Sequence, residues 1–438
     1  MRKTIEIRQR SGARALRILW AVAVACGAFG AAPAGSPRAE MPVIPGIDGT
    51  LRPQGSLVII GGCERFDNQI IWSTIVDLAG GRGAKIAVFP TASGAPVEYG
   101  NDIVRVLNEA GADAFVVPVA MTGFDQHHKE AVSDPQLVAT VRQATGVFFV
   151  GGEQSRIRKV LVDEDGANTP MLDAIWDVYR QGGVVAGTSA GAAIMSRIMY
   201  RNGRTVLSNM IHGVTMGKEI DHGLGFLDAD WFVDQHVLIR GRFARALVAM
   251  QDQGFSYGLG VDEDSAVVVR DGVARVIGYK GAIVMDLSDA TTNENLEHFN
   301  LKNAKLTYLD RGDSIDLSSL EVTPSDEKKG DRHIVPHAPD FRPTFRHRVF
   351  SSDVLGNTAV LDIMTKLLDN KYDEATGLAF DGAAAQHGPT DGFEFRFYRG
   401  TDTTGWETES FGGDDYTIVN IHCDITPIKI TGPLYIKE

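Results

Sequence analysis

The plainest chemical signal in the 438-residue chain is the stretch Gly183-Val184-Val185-Ala186-Gly187-Thr188-Ser189-Ala190-Gly191-Ala192-Ala193. An apolar run leads into G-x-S-x-G and then into small residues suited to a helix. A serine on such a strand-to-helix turn is held in a strained backbone conformation with its hydroxyl exposed. The flanking glycines are required because side chains there would strike the adjoining strand and helix. The amide of Ala190, at the helix start, is placed to stabilise an oxyanion. The amide of Gly152, in Gly151-Gly152-Glu153-Gln154, is the second candidate donor. The competing reading is a serine N-cap on an ordinary turn.

A serine nucleophile needs a base, and the base needs a group that orients it. The chain has 11 histidines, of which His127, His128, His333, His337, His347 and His387 lie in loop-like segments. His236 differs, because it follows the apolar Trp231-Phe232-Val233 at a strand end, within Asp234-Gln235-His236, where it can reach the same rim as Ser189. Arg240, Arg242 and Arg245 come directly after it, and the last two share one face of a helix. Guanidinium forks bind carboxylates bidentately, so this cluster suits a substrate with free carboxylates. For the orienting acid the residues alone leave several candidates. Asp262, Glu263 and Asp264 follow the histidine, and Glu219, Asp221, Asp228 and Asp230 precede it.

These side chains need a scaffold. From Gly55 onward short apolar runs alternate with helical patterns: strands at residues 56–60, 84–89, 114–117, 146–150 and 183–186, helices around 68–79, 104–110, 137–144 and 171–181. Strands rich in Val, Ile and Phe without polar alternation fit a parallel sheet covered on both faces. The expected fold class is therefore α/β, a doubly wound, mostly parallel sheet. Ligands of such sheets bind at the carboxyl ends of the strands, and four of the strands end in Gly61-Gly62, Thr91-Ala92-Ser93, Gly151-Gly152-Glu153-Gln154 and Gly187-Thr188-Ser189. The pattern fades after about Met285. Beyond it we expect short strands (305–308, 393–398, 416–421, 428–430), a helix over 361–368, and a solvated charged loop at 325–330. The organisation expected is a signal peptide and leader at 1–39, a catalytic α/β serine hydrolase domain at 50–289, and a smaller β-rich C-terminal region at 290–438.

A formal charge of −13 argues against nucleic acid or an anionic membrane surface as partner. The chain opens with Arg2, Lys3, Arg8, Arg10, Arg14 and Arg17, followed by an apolar run over 18–32 and small residues such as Ala32-Pro33-Ala34. Those are the flanks of a signal peptide, so the protein is expected to be secreted, extracellular or periplasmic. Ala23-Val24-Ala25-Cys26 loosely resembles a lipobox, which leaves a lipid anchor open. Cys63 and Cys423 would remain in a mature chain, and sequence does not show whether they pair. Neither sits in a metal-ligand spacing, so no metal and no cofactor are expected.

Taken together, Gly151–Gln154, Ala186–Ala192, Gly223-Leu224-Gly225-Phe226, Asp234–His236, Arg240-Gly241-Arg242-Phe243 and Gly258-Leu259-Gly260-Val261-Asp262-Glu263-Asp264 resemble cyanophycinases. These are serine exopeptidases related to peptidase E, with a fold similar to class I glutamine amidotransferases, a flavodoxin-like arrangement. The resemblance covers residues 55–285. It implies hydrolysis of cyanophycin, a polyaspartate carrying arginine on each side chain, to β-Asp-Arg dipeptides. It implies Ser189 as nucleophile, His236 as base and Glu263 as the orienting acid; among the remaining acids Glu219 is our fallback. Gln154, Asp234, Gln235, Arg240, Arg242 and Arg245 match pocket positions, acids holding the substrate guanidinium and arginines its carboxylates. The first strand ends Gly61-Gly62-Cys63, where the family usually has a third glycine. The alternative is a peptidase E-like β-aspartyl or aspartyl dipeptidase acting on small peptides. A lipase-like hydrolase would place its acid before its histidine, and an inactive binding protein would not need Ser189 and His236. A homodimer is compatible with the sequence.

Overall fold

A run such as Leu57-Val58-Ile59-Ile60 has no polar face, so the fold must cover both sides of it. In the computed structural model, which describes residues 55–201, 203–329, 332–410 and 415–436, this run is β1 (Ser56–Ile60). It is followed by β2 (Lys85–Phe89), β3 (Asp113–Val116), β4 (Gly146–Phe149) and β5 (Val184–Thr188). These five strands pair in parallel in the order β3-β2-β4-β5-β1. Successive residues point to opposite faces. Leu57, Ile59, Phe89, Phe149 and Val185 therefore pack with helices Pro135–Arg142, Gln154–Leu161 and Pro170–Arg180. Val58, Ile60, Phe148 and Ala186 pack with helices Gln69–Leu78 and Pro96–Glu109 on the other face. The architecture is mixed α/β, with a large, mostly parallel sheet.

After a small ribbon of β6 (Ile198–Tyr200) and β7 (Ile220–His222), the chain begins a second sheet. Its first two strands, β8 (Trp231–Gln235) and β9 (Tyr257–Val261), are parallel and are linked through helix Phe243–Gln253. The chain then returns: β10 (Ser265–Arg270) lies antiparallel on β1, β11 (Val273–Gly278) lies beyond it, and β12 (Ala282–Asp286) pairs with β9. The strands that carry His236 and Glu263 thus belong to a different sheet from the one that carries Ser189.

The C-terminal residues are β-rich and extend both sheets. β13 (Leu301–Leu309) joins β12, and β14 (Ser314–Asp316) with β15 (Val322–Thr323) continues from β11. After β16 (Arg332–Ile334), β17 (Val349–Ser351) and β18 (Glu374–Phe380), a long hairpin of β19 (Thr390–Thr408) and β20 (Asp415–Ile430) lies within the second sheet, with β20 on β13, β19 on β18, and β17 at the edge. The runs 416–421 and 428–430, expected as two strands, are one. The polar His422 between them breaks the apolar pattern, but finds partners in Asn303 (2.7 Å) and Asp402 (2.8 Å). The charged loop at 325–330 also differs from expectation. Lys328 is fully buried, its Nζ 3.1 Å from both Asp310 Oδ2 and Asp313 Oδ2, because a buried ammonium needs compensating charge. Cys63 and Cys423 are both free thiols. The signal segment 1–39 and Cys26 lie outside the described residues.

Candidate active site

Ser189 follows β5 directly, at φ 50° and ψ −103°, at the N-cap of the short helix Ala190–Ala193. The glycines around it explain how this turn closes. A Cβ on Gly187 would lie 2.3 Å from Gly191 O, and one on Gly191 would lie 2.4 Å from Phe149 O. Nine described non-glycine residues have positive φ, and four of them (Cys63, Ser189, His236 and Asp264) gather at this site. Each such conformation costs about 1–3 kcal/mol and persists only where the surroundings impose it. Strain is therefore concentrated where the two sheets meet.

That meeting is stitched by the backbone. His236 N donates to Gly61 O and Asp264 N to Gly62 O between the two sheets, while Gly61 N to Ser265 O and Ser189 N to Ile60 O hold the end of the first sheet, each at 3.0 Å. In the first sheet Ile60 of β1 stands opposite Thr188 of β5. In the second, Gln235 of β8 stands opposite Val261 of β9, so His236 and Glu263 emerge from adjacent strand ends. The result is a continuous relay: Ser189 Oγ lies 2.9 Å from His236 Nε2, and His236 Nδ1 lies 2.5 Å from Glu263 Oε1. A neutral imidazole donating Nδ1–H to the carboxylate leaves Nε2 free to accept the serine proton.

Electrostatics favour that neutral form. Burial, followed by the positive charge of Arg240, holds His236 down to about 4, against the hydrogen bond to Glu263. Burial pushes the Glu263 carboxyl up, but its hydrogen bond and charge contact with His236, with help from Cys63 and Arg240, outweigh it and keep it below the usual carboxylate range. The Cys63 thiol is raised by burial and by the neighbouring Glu263 charge.

Ser189 and His236 open into a cleft of about 250 Å³ walled by Gly152, Glu153, Gln154, Arg201, Gly203, Gln235, Arg240, Arg242 and Arg245. Gly152 is at φ 144°, and Ala190 occupies the first helical position, where an amide has no carbonyl within its own helix. Gln154 donates to Tyr200 O at 2.5 Å. Arg242 donates to Gln235 O at 3.1 Å and to Gln235 Oε1 at 2.6 Å, and burial pushes its guanidinium down to about 10, still charged at neutral pH. Arg240 is half-exposed and reaches Glu263 Oε1 at 3.3 Å. Asp234 does not line the cleft. Both its oxygens are engaged by Arg245, at 2.6 and 2.7 Å, in a buried pair. The acid on the cleft wall is Glu153, which accepts from Ser155 Oγ at 2.6 Å and pairs with Arg156 at 3.1 Å.

Glu219 stands apart from the relay. It pairs with Arg204 Nε at 3.1 Å and accepts from Thr215 N, also at 3.1 Å. Several residues support the site in roles that the sequence did not assign to them. Gly62, at φ 110°, underlies the imidazole, where a Cβ would come within 2.4 Å of His236 Cε1. Asp262 Oδ1 accepts the amides of Leu238 and Ile239, each at 3.2 Å, which fixes the loop after the histidine. Asp264 Oδ1 accepts from Arg65 N at 3.0 Å and Asn68 Nδ2 at 2.9 Å. Tyr200 braces Arg245, whose guanidinium lies 4.3 Å from the centre of its ring. Thr188 donates to Glu64, whose carboxyl burial pushes up to about 7.

A profile of peptidase family S51 matches residues 57–277. A cyanophycinase of Nostoc sp. is 31% identical over 281 residues, covering 62% of this chain and 88% of its own. A cyanophycinase of Geminocystis herdmanii is 32% identical over 272 residues, covering 59% of this chain and 93% of its own. A crystal structure of a peptidase from an acI-B1 actinobacterium superposes with a TM-score of 0.43 at 21% identity, covering 60% of this chain and 96% of that one.

Proposed function

The chain belongs to peptidase family S51 and is a serine-type peptidase, and from that premise we propose that it hydrolyses cyanophycin to β-Asp-Arg dipeptides. What carries this reading is one juxtaposition: the Ser189–His236–Glu263 relay opens into a cleft whose walls include the cations Arg240 and Arg242 and the acid Glu153, Arg245 being held there by its pair with Asp234. A polymer unit carrying both a free carboxylate and a guanidinium needs cations and an acid together. Ser189 attacks the scissile carbonyl, with the amides of Ala190 and Gly152 receiving the oxyanion. His236 takes the serine proton and passes it to the leaving amine, and water then releases the dipeptide. Glu263 holds the imidazole in the tautomer this requires.

A neighbouring cavity of about 430 Å³ shares Glu153 and Arg201 with the cleft, and both signs of charge line it, Arg156, Arg158 and Lys159 beside Asp163, Glu164 and Asp221. It supports a polymeric substrate, since it offers room and alternating charge to units not yet cleaved. We also read the first sheet as of the class I glutamine amidotransferase or flavodoxin type, supported by its two helical layers and by a site at the carboxyl ends of its parallel strands. Export belongs to the same proposal: the basic start and apolar run of residues 2–32 support an enzyme acting on polymer outside its cell. N-terminal sequencing of protein recovered from culture medium checks it, and a cytosolic chain retaining Met1 would refute it.

The substrate is tested by incubating the purified protein and Ser189→Ala with insoluble cyanophycin and identifying soluble products by mass. β-Asp-Arg from the unsubstituted protein alone supports the assignment. Hydrolysis of short aspartyl peptides without polymer release would replace it with the dipeptidase reading.

A further inference from the structure

Cys63, His236 and Glu263 each offer one donor atom, and these atoms all lie within 4.8 Å of one another. They stand beyond the ends of β1, β8 and β9, which the bonds from His236 N to Gly61 O and from Asp264 N to Gly62 O hold together. The imidazole nitrogen on this side is Nδ1, 2.5 Å from Glu263, whereas Nε2 faces Ser189. Cys63 is exposed, so an ion can reach the thiol from solvent. Neither Cys63 nor Glu263 lines the substrate cleft.

We propose that this trio binds a thiophilic divalent cation, Zn²⁺ above all, and that the bound ion switches the hydrolase off. A thiolate, an imidazole and a carboxylate, with water in the fourth position, make a tetrahedral zinc set with bonds of about 2.0–2.3 Å. Those bonds put neighbouring donors about 3.3–3.7 Å apart, so Nδ1 and Oε1, now 2.5 Å apart, must open by about 1 Å to admit the ion, while the sulfur, within 4.8 Å of both, approaches by rotation of the exposed Cys63 side chain. The thiol releases its proton to solvent as the sulfur–metal bond forms. Nδ1 must be bare to bind the ion, so the ring's one remaining proton resides on Nε2. An Nε2–H pointing at Ser189 Oγ cannot accept the serine proton, and acylation stops. The ion takes Glu263 from Arg240, but neither Cys63 nor Glu263 lines the cleft, so substrate still binds. The inhibitory half of this inference rests on His236 acting as the base, while the binding half does not.

The full chain and Cys63→Ser are titrated with Zn²⁺ in a non-chelating buffer while hydrolysis is followed, each rate taken relative to the same protein's metal-free rate. Zinc should lower kcat and leave KM unchanged, chelator should restore the rate, and Cys63→Ser should need at least ~10-fold more zinc, a factor that even outer-shell changes at metal sites reach. In parallel, Co²⁺ is added to Ser189→Ala and to the same protein carrying Cys63→Ser. A thiolate-to-cobalt charge-transfer band in the first and not in the second shows Cys63 as a ligand, whatever substrate the enzyme prefers. Equal zinc sensitivity with and without Cys63, a rise in KM at constant kcat, or the absence of a Cys63-dependent cobalt band would each overturn the proposal.

Discussion

Replacing Glu263 with Gln separates the relay proposed here from its nearest alternative. The substitution keeps the shape of a side chain that is 15% exposed and removes its charge. Glu263 Oε1 lies 2.5 Å from His236 Nδ1, so the carboxylate both fixes the ring tautomer and stabilises the imidazolium that forms as Ser189 loses its proton. An amide can turn its nitrogen toward Nδ1, which then has to accept, and Nε2 acquires the proton that should come from the serine. In the archetypal serine protease triad the equivalent change lowers kcat about 10⁴-fold. Here Nδ1 and Oε1 are within hydrogen-bond distance, so kcat/KM on cyanophycin should fall by about 10³–10⁴, or about 4–5.5 kcal/mol of transition-state stabilisation. Because Glu263 does not line the cleft, KM should stay within about threefold, since the interaction lost is made only in the transition state. Glu219→Gln is the control: its carboxylate is engaged by Arg204 and the amide of Thr215, and kcat should also stay within about threefold. Dipeptide release assayed by mass on folded, purified variants decides it. A Glu263→Gln enzyme at wild-type rate, or a Glu219→Gln enzyme that loses the rate, would refute the relay as drawn.

With His236 held at about 4 by burial and by Arg240, the base remains neutral well below the ordinary histidine range. The acid limb of kcat/KM should therefore lie near 4, and the rate should be lost only as pH falls through that value. Arg240→Gln removes a cation that disfavours the imidazolium, so the same limb should move to higher pH; a limb that stays in place would show that burial alone sets it. Gly62→Ala introduces a Cβ 2.4 Å from His236 Cε1 at φ 110°. The ring has to move off its two hydrogen bonds, and kcat should fall by about 10² or more, while undiminished activity would mean that the imidazole is not held where we place it. Lys328→Met leaves Asp310 and Asp313 without the ammonium buried between them. Unfolding by denaturant should show a loss of about 3–5 kcal/mol, and an unchanged midpoint would mean that those carboxylates are not compensated by Lys328.

The parallel core was legible because its strands advertise themselves. β1, β2, β4 and β5 are short apolar runs without alternation, each bounded by small residues, and that pattern admits few placements other than a covered sheet. Ser189 was legible for the same reason: the strand before it and the small residues after it fix the turn. The second sheet was not. β8 and β9 have the composition of first-sheet strands, and nothing within them states which edge they join. That choice was made by β10, which folds back on β1 and takes the edge they would otherwise extend, leaving them to build outward through β12 and β13.

The same limit governs the three consecutive acids after β9. In sequence Asp262, Glu263 and Asp264 are equivalent charges, and hydropathy assigns all three to solvent. In the fold each turns a different way: Asp262 to the amides of Leu238 and Ile239, Glu263 to His236, Asp264 to Arg65 and Asn68. One fixes the loop that follows the base, one orients the base, and one ties down the loop that carries Cys63. Lys328 makes the point in reverse, since its partners Asp310 and Asp313 lie 18 and 15 residues earlier and only the pairing of β14 with β11 brings that segment into the interior. A residue's type tells what chemistry it can do. Which chemistry it does is set by the strand ends the topology brings beside it, and the relay is assembled from three of them: the ends of β5, β8 and β9.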